Sequence, residues 1–381
     1  MLAVYVHFPW CLQKCPYCDF ASAGIRRAEV PHREYAEALL RELRWRAPAL
    51  SHHTLGSVFF GGGTPSLWEP AELGRVLTAI RGTFGEQTPD LEVTVECNPT
   101  SLDRDRAAAL REAGVNRLSI GVQSLDDGRL RYLGRLHDAA GGLRAVQAAR
   151  AEIARVSADL IFGLPGQSPA EARDEAARLA DEGLDHLSVY ALTIEPDTQF
   201  GALHKKGRLK IAADDDVAES FLAIEATLAR RGLSHYEVSN YARPGQESRH
   251  NLHYWRGGAY LGLGAGAVGC LHVGPGDARR YRNDPRPERY VQRSGEAAVE
   301  VFEETLDAGD LTRERLMLGL RTAEGMDLRA AHAATGVEPL SGREIEVQHA
   351  LSRGELLREG QVLRVPPQRW LSLDSIVASV F

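Results

Sequence analysis

The stretch AVYVHFPWCLQKCPYCDF, residues 3–20, joins a short apolar run to a loop that holds three of the chain's five cysteines. The run AVYVHF is rich in β-branched and aromatic residues, which predicts a strand over 3–8. Cys11, Cys15 and Cys18 follow it closely. We therefore predict that this strand carries chemistry at its carboxyl end, and the same arrangement recurs along the chain.

Five further runs of the same kind predict five more strands, and segments with helical periodicity separate them. The runs are SVFF (57–60), LEVTVE (91–96), RLSIGV (117–122), VSADLIF (156–162) and HLSVYAL (186–192). Two of the helices are expected to begin at capping boxes, Ser66 with Glu69 and Ser168 with Glu171. Six βα units in succession imply a parallel sheet, because parallel neighbours need helical crossovers.

Each of the five later strands also ends in a loop of unusual composition. These loops are GGGTP (61–65), ECNP (96–99), GVQS (121–124), GLPGQ (163–167) and TIEPDT (193–198). A doubly wound sheet and a barrel both agree with six βα units. In a (β/α) barrel, however, the carboxyl ends of the strands gather at one rim, where the active sites of that fold lie. The loops therefore favour an α/β protein built on a partial (β/α)6 TIM-like barrel.

The composition divides the chain into three predicted regions. Residues 1–232 are expected to form the partial barrel. Residues 233–305 form an extension with a glycine-rich stretch and, over 276–300, a connector rich in Pro, Arg and Glu. Residues 306–381 have the pattern of two helices followed by two short strands, which predicts a small α+β, winged-helix-like domain.

The overall composition argues against several classes of function. A net charge of −7 gives no basic field for nucleic acid or anionic lipid. No apolar run approaches the roughly 20 residues that span a bilayer, and the N-terminus lacks the basic leader of a secretion signal. Five cysteines are an odd and sparse number for a disulfide framework. We therefore expect a cytoplasmic protein whose clustered thiols bind metal.

The spacing C-x3-C-x2-C narrows the choice of metal site. A structural zinc site needs four ligands, usually as two separated pairs, and a thioredoxin-type motif uses C-x2-C alone. Three thiolates bind three irons of a [4Fe–4S] cluster and leave the fourth iron open to a small molecule. A zinc knuckle remains the alternative.

The cysteine spacing and the glycine motif after the second strand together resemble the radical SAM superfamily. A longer set of motifs is similar to the oxygen-independent coproporphyrinogen III oxidase-like family, and most similar to its heme chaperone subgroup. These motifs are YVHFPWCLQKCPYCDF, GGGTPS, ECNP, GVQS, LGRLH, DLIFGLPGQ, LTIEP, YEVSNYARPG, HNLHYW and YLGLGAGA. The resemblance implies a [4Fe–4S] cluster, S-adenosylmethionine (SAM) and heme as cofactors or ligands.

The resemblance also implies a set of site residues. Cys11, Cys15 and Cys18 would bind the cluster, and the contacts to SAM would come from Tyr5, Tyr17, Gly62, Gly63, Thr64, Glu96, Gln123, Arg135 and Asp159. In this set Arg135 would pair with the SAM carboxylate, as suits a planar guanidinium, and Glu96 would bind the ribose hydroxyls. A core role for Tyr5 and a solvated charge for Arg135 are the alternatives.

At one position, this chain differs from the family's enzymes in a way that bears on its function. True coproporphyrinogen III oxidases of this family carry a fourth cysteine, where this chain has Phe20. The resemblance therefore implies a heme chaperone rather than an oxidase, and a coproporphyrinogen III oxidase or another radical SAM tetrapyrrole enzyme is the alternative. The resemblance implies that His250, in the H-N-x-x-Y-W motif, is a heme ligand. The alternatives are that His250 is a core histidine in an aromatic patch, or that His253, His7 or His137 binds the heme.

The resemblance to the chaperone subgroup extends to partners. It implies delivery of heme to respiratory-chain proteins at the cytoplasmic membrane, where the chain would be peripheral. It also implies a homodimer that depends on the cluster, with an electron donor of the flavodoxin or ferredoxin type. No nucleic acid partner is expected.

Overall fold

The first 242 residues alternate strands and helices, as the sequence predicts. The computed structural model describes residues 1–50, 52–274 and 276–381. Strands in the first part are β1 (Leu2–Phe8), β2 (Trp10–Cys11), β3 (Ala23–Gly24), β4 (Thr54–Gly62), β5 (Glu86–Cys97), β6 (Arg117–Gln123), β7 (Arg155–Phe162), β8 (His186–Ala191), β9 (Ser234–Glu237) and β10 (Asn240–Ala242). Helices are α1 (His32–Arg46), α2 (Pro70–Thr83), α3 (Arg104–Glu112), α4 (Asp127–Tyr132), α5 (Ala139–Glu152), α6 (Pro169–Asp181), α7 (Gln199–Lys205) and α8 (Asp214–Ala229).

Six parallel strands form the centre of one large sheet. β1, β4, β5, β6, β7 and β8 pair in chain order, each parallel to the next. β10 then pairs antiparallel with β8, and β9 lies at that edge. These six strands are the six that the sequence predicts, so the partial (β/α)6 barrel is confirmed. Their carboxyl ends lie on one side of the sheet because all six run in the same direction.

The two faces of these strands differ in polarity. Val4, Val58 and Leu118 belong to the large hydrophobic core that the sheet shares with residues of the helices. Residues one position away point to the other face, since side chains alternate along a strand. That second face carries Ser119 and Asp159, which are joined by a hydrogen bond of 3.1 Å. The parallel strands are therefore apolar on one face and polar on the face available to a ligand.

The next part of the chain extends the same sheet. Its elements are α9 (Arg249–Trp255), β11 (Tyr260–Leu263), β12 (Val268–Gly274), β13 (Asp277–Asn283), α10 (Pro287–Arg293) and β14 (Glu300–Leu306). β11 pairs parallel with β1, and β12, β13 and β14 follow antiparallel. The prediction of a connector over 276–300 is therefore wrong. The charged residues that suggested a linker pair across two strands instead, as Arg280 and Glu304 do at 2.8 Å.

The last part of the chain has its own small sheet and its own core. Its elements are α11 (Ala308–Gly319), β15 (Met326–Asp327), α12 (Leu328–Thr335), α13 (Glu344–Ser352), β16 (Leu357–Glu359), β17 (Val362–Arg364) and α14 (Leu373–Ser379). The sheet order is β15-β17-β16, and Leu316, Leu363 and Trp370 lie in a separate hydrophobic cluster. This arrangement agrees with the predicted winged-helix-like fold. The domain boundaries at 232 and 305 stay predictions.

The two predicted capping boxes differ in outcome. Ser168 and Glu171 form one at the start of α6, as expected. The prediction of a capping box at Ser66 and Glu69 is wrong, because residues 65–67 form a 3-10 turn. The Ser66 hydroxyl instead forms a hydrogen bond with the Ser101 hydroxyl at 2.6 Å. Among the described residues, no helix is both long and apolar enough to cross a membrane.

Candidate functional site

The three clustered cysteines lie in and just before a loop that other elements hold in place. β2, which includes Cys11, pairs with β3, and the Cys11 carbonyl accepts a hydrogen bond from the Ile25 amide at 2.9 Å. Further along the loop, the Phe200 amide of α7 donates to the Pro16 carbonyl at 2.8 Å. The loop is therefore fixed on both sides, and its three thiols remain partly exposed.

These thiols open into a cavity of about 360 Å³ at the carboxyl ends of the parallel strands. All of the predicted site residues except Tyr5 and His250 line it, namely Cys11, Cys15, Tyr17, Cys18, Gly62, Gly63, Thr64, Glu96, Gln123, Arg135 and Asp159. The lining thus gathers residues from five of the loops that the sequence singles out. A cavity of this size falls within the range of small-molecule sites.

The glycine motif is joined by backbone hydrogen bonds to the segment that leads into the cysteine loop. Gly63 donates from its amide to the Phe8 carbonyl at 2.7 Å, and Thr64 donates to the Trp10 carbonyl at 2.8 Å. A Cβ atom on Gly63 would lie 2.6 Å from the Trp10 carbonyl oxygen. Only glycine allows this close approach of two backbones. The motif and the cysteine loop therefore hold each other in position.

Two carboxyl groups face the cavity, those of Glu96 in β5 and of Asp159 in β7. Glu96 accepts a hydrogen bond from the Gly62 amide at 3.0 Å, and burial raises its pKa to about 8. Burial also raises the pKa of Asp159, although hydrogen bonds from Ser188 and Ser119 oppose this. Ser119 lines the cavity too and was missed from the sequence. Its position, four residues before Gln123 in β6, could have revealed it, because alternate residues of a strand share a face.

The raised pKa of Glu96 predicts a pH dependence of stability. Between the ordinary value of 4.5 and about 8, the folded chain keeps a proton that the unfolded chain has lost. Stability from this group is therefore fully present below the lower value and declines as the pH rises through the upper one. Glu96→Gln removes the ionisable group, so the free energy of unfolding of the variant should rise relative to that of the parent by about 4 kcal/mol between about pH 5 and about pH 9. Denaturant unfolding of both apoproteins at the two pH values measures the difference, and an equal difference at both would contradict the assignment.

Arg135 brings a positive charge to the cysteines. Its Nη1 lies 3.5 Å from the Cys15 sulfur, and its Nη2 donates to the Gly121 carbonyl at 2.7 Å. Its Nε is buried and has no hydrogen-bond partner among the described residues. The guanidinium is thus partly satisfied and retains a free donor, which suits a carboxylate ligand.

The residues present fit a [4Fe–4S] cluster better than a single metal ion. Among the residues that the structure describes, no three His, Cys, Asp or Glu side chains converge closely enough to hold one ion. In a cluster each thiolate binds a different iron, so wider separation is expected. Burial raises the pKa of Cys11, and it raises that of Cys18 to about 11. Both are therefore neutral thiols without metal, and iron binding must release their protons.

Gln123 is held in an unusual conformation at the cavity wall. With φ of 69°, it is the one non-glycine residue with positive φ in the described chain. The next two residues are anchored by Glu175 of α6, whose carboxylate accepts from the Ser124 hydroxyl at 2.8 Å and from the Leu125 amide at 2.7 Å. Arg129 pairs with the same carboxylate at 2.8 Å. Sequence reasoning missed Glu175 because its partners lie about fifty positions away.

Tyr5 lies just below the cavity rather than in its wall. Its hydroxyl is 2.9 Å from His7 Nδ1, and its ring stacks on Phe59 with centroids 6.2 Å apart. A Cβ atom on Gly61 would lie 2.9 Å from the Tyr5 ring and 3.1 Å from the Glu96 carboxylate. Tyr5 thus packs against His7 and Phe59, and its direct contact with a ligand stays a prediction.

The structure does not bring His250 to the cysteine cavity. His250 is buried at 3% exposure, and its Nδ1 lies 2.8 Å from the Ser57 hydroxyl. Its ring stacks on Phe59 at 4.9 Å, and burial lowers its pKa to about 3. Its Nε2 is buried without a hydrogen-bond partner among the described residues. A ligand would reach that nitrogen only if the side chains around it moved, so the role of His250 stays a prediction.

Comparisons with known proteins find matches to this chain. The family model of the radical SAM superfamily matches residues 5–180, a range that holds all predicted site residues except His250. The heme chaperone HemW of Escherichia coli is 38% identical over 293 residues, which cover 76% of each chain.

Two further proteins match almost the whole chain. The mouse protein "Radical S-adenosyl methionine domain-containing protein 1, mitochondrial" is 36% identical, over 99% of this chain and 87% of its own. The solved structure of the Escherichia coli coproporphyrinogen III oxidase HemN superposes with a TM-score of 0.83, over 100% of this chain and 89% of that one. At 22% identity, this last likeness shows a shared fold.

Proposed function

Because this chain belongs to the radical SAM superfamily and, within it, to the family of the heme chaperone HemW, we propose that it is itself a heme chaperone. In this proposal it holds a [4Fe–4S] cluster and SAM in the cysteine cavity, binds heme, and delivers the heme to respiratory-chain apoproteins. The observation that carries the proposal is that Cys11, Cys15, Cys18, the glycine motif and Arg135 line the same cavity.

Each part of the cavity would contact a different part of its ligands. The three thiolates would hold the cluster, which supplies electrons and an open iron when it is bound. Arg135 would pair with the SAM carboxylate, to which its unpartnered Nε could donate. Gly62 and Gly63 would let the SAM amino group approach the backbone, and the largely neutral Glu96 would exchange hydrogen bonds with ribose hydroxyls.

Phe20 supports a chaperone rather than an oxidase. It stands where the family's oxidases carry a further cysteine, and it lines the cavity with 56% of its surface exposed. Leu136 is also in the lining and 55% exposed. A thiol that the resemblance ties to decarboxylation is thus replaced by an apolar ring at the cavity mouth, where a hydrophobic ligand or partner would be favoured.

A combined assay tests the proposal. After anaerobic reconstitution with iron and sulfide, the protein should bind heme stoichiometrically and give a Soret band. It should release little 5′-deoxyadenosine when SAM and a reductant are added. The same titration of protein without its cluster serves as the control for what the cluster contributes.

The opposite pattern would favour the alternative function. If the reconstituted protein converts coproporphyrinogen III to protoporphyrinogen and does not bind heme, it is an oxidase. Substrate-dependent release of 5′-deoxyadenosine with another porphyrinogen would indicate a different radical SAM tetrapyrrole enzyme.

The partners of a heme chaperone follow from its task. Respiratory apoproteins at the cytoplasmic membrane would receive the heme, and a flavodoxin or ferredoxin would supply electrons to the cluster. We also propose a homodimer that forms when the cluster is present. Size-exclusion chromatography before and after reconstitution measures that change in mass.

A further inference from the structure

A second cavity, of about 390 Å³, lies where α9 meets the C-terminal sheet and its helices. Its lining includes Trp255, Arg256, Arg315, Glu324, Met326 and Asp327. None of them lines the cysteine cavity. The second cavity is therefore a separate place where a ligand could bind.

The charge balance of this cavity leaves one arginine without an anion. Arg315 donates from Nη1 to the Arg256 carbonyl at 2.9 Å, while its Nε is buried with no hydrogen-bond partner in the described chain. Burial lowers the pKa of Arg315, and no carboxylate offsets this; Cys270 alone acts in the other direction. Arg315 is half-buried as a whole, with its Nε shielded from solvent, and cations that lose contact with solvent are normally paired. Arg315 is thus poised for an anion that this chain does not provide.

The two carboxylates that line the cavity are already engaged. Glu324 pairs with Arg256 through two hydrogen bonds of 2.6 and 2.7 Å. Asp327 caps α12 by accepting a hydrogen bond from the Ala330 amide at 3.0 Å. Glu324 is neutralised by Arg256, and among the described residues neither acid forms an ion pair with Arg315, so an external carboxylate could still pair with its guanidinium.

The rest of the lining is largely apolar. Trp255 forms one side, and Met326, Ala331 and Val362 come from the C-terminal region. Trp255 is also the last residue of the H-N-x-x-Y-W motif, whose histidine is buried against Phe59. The helix α9 thus turns its histidine toward the parallel strands and brings its tryptophan to this second cavity.

We propose that this second cavity binds the carboxylate of an amphipathic ligand through Arg315, with the apolar body of the ligand against Trp255 and Met326. Resting on the proposed function, the ligand is heme, whose propionates are the carboxylates and whose porphyrin is the apolar body. A simple amphipathic carboxylate could make the same contacts, and the test distinguishes it from heme.

The test compares heme affinity in three variants. Arg315→Gln should weaken heme binding by about tenfold, as expected for the loss of one charge-assisted contact. Arg313→Gln is the matched control, because Arg313 lies on the same helix but is exposed and pairs with Asp310. Ala330→Phe fills the cavity from an exposed helix position and should weaken heme binding similarly. Unchanged melting temperatures would show that the three variants are folded.

The ligand itself provides the second comparison. Heme dimethyl ester, which lacks free carboxylates, should bind the parent about as weakly as heme binds Arg315→Gln, and it should be indifferent to that substitution. Octanoate should compete only weakly with heme. The inference is overturned if Arg315→Gln binds heme as the parent does, if the ester binds the parent as tightly as heme, or if octanoate binds in an Arg315-dependent manner while heme does not. A parent that binds no heme at all would instead overturn the proposed function.

Discussion

Cys15→Ser is expected to abolish the cluster while leaving the protein folded. After anaerobic reconstitution, the variant should hold less than about a tenth of the iron and sulfide of the parent and lack its brown absorbance near roughly 400 nm. A serine hydroxyl is a poor ligand for iron in such clusters, and two remaining thiolates cannot fix three irons. The Cys15 side chain is only partly buried, so its replacement should change the melting temperature of the apoprotein little.

Cys270 provides the matched control for this experiment. It is a buried cysteine in β12, in a small cluster with Ala278 and Leu306, and it does not line the cysteine cavity. Cys270→Ala should therefore retain full iron and sulfide content. Equal loss of iron in both variants, or full iron in Cys15→Ser, would show that the C-x3-C-x2-C loop is not the ligand set.

The same substitution separates the cluster from the heme. If heme binds at the second cavity, Cys15→Ser should retain measurable heme affinity, because Trp255 and Arg315 do not line the cysteine cavity. If heme instead requires the cluster cavity, the affinity should fall with the iron. Titrating heme into this variant therefore locates the heme site without changing any residue of the second cavity.

The fold and most of the cavity could be predicted because their determinants are local. Each parallel strand carries its own alternation of apolar and polar residues, and each polar loop follows its strand directly. In a parallel sheet these loops must meet on one side. The strand pattern thus predicts that the loops meet, while the family resemblance implied the individual residues, and residues as distant as Cys11 and Asp159 do line one cavity.

The parts that escaped prediction depend on contacts between distant elements. The strand over Asp277–Asn283 resembles a linker because its arginines face glutamates of β14, and nothing in the local sequence shows that pairing. The position of His250 is set by Ser57 and Phe59, nearly two hundred residues earlier. The second cavity forms only where α9 meets the C-terminal region, so no single segment encodes it.

Gly63→Ala is expected to disturb the site through the backbone rather than through a ligand of the cluster. The added Cβ would lie 2.6 Å from the Trp10 carbonyl oxygen and 2.8 Å from that of Phe8. Both neighbours are backbone atoms at the start of the cysteine loop, so they cannot move aside as a side chain would. The two hydrogen bonds that join Gly63 and Thr64 to this segment must lengthen.

We therefore expect Gly63→Ala to lower the free energy of unfolding by about 2 to 3 kcal/mol, as in other overpacked sites. The displaced loop should also hold the cluster less well, and SAM affinity should fall by more than about tenfold. Gly82→Ala is the matched control. Gly82 lies in α2, and a Cβ atom added there would meet no neighbouring atom within 4 Å, so this change should raise stability by about 0.5 to 1 kcal/mol.

The two glycine variants thus predict shifts of opposite sign from the same chemical change. Denaturant unfolding of both apoproteins measures the stabilities, and iron content with SAM titration measures the site. Cys15→Ser should lose the cluster without losing stability. If Gly63→Ala loses both, its effect therefore comes from the backbone contact and not from loss of the cluster alone. A Gly63→Ala protein as stable as the parent, with a full cluster and unchanged SAM affinity, would mean that the glycine motif and the cysteine loop are not coupled as the structure indicates.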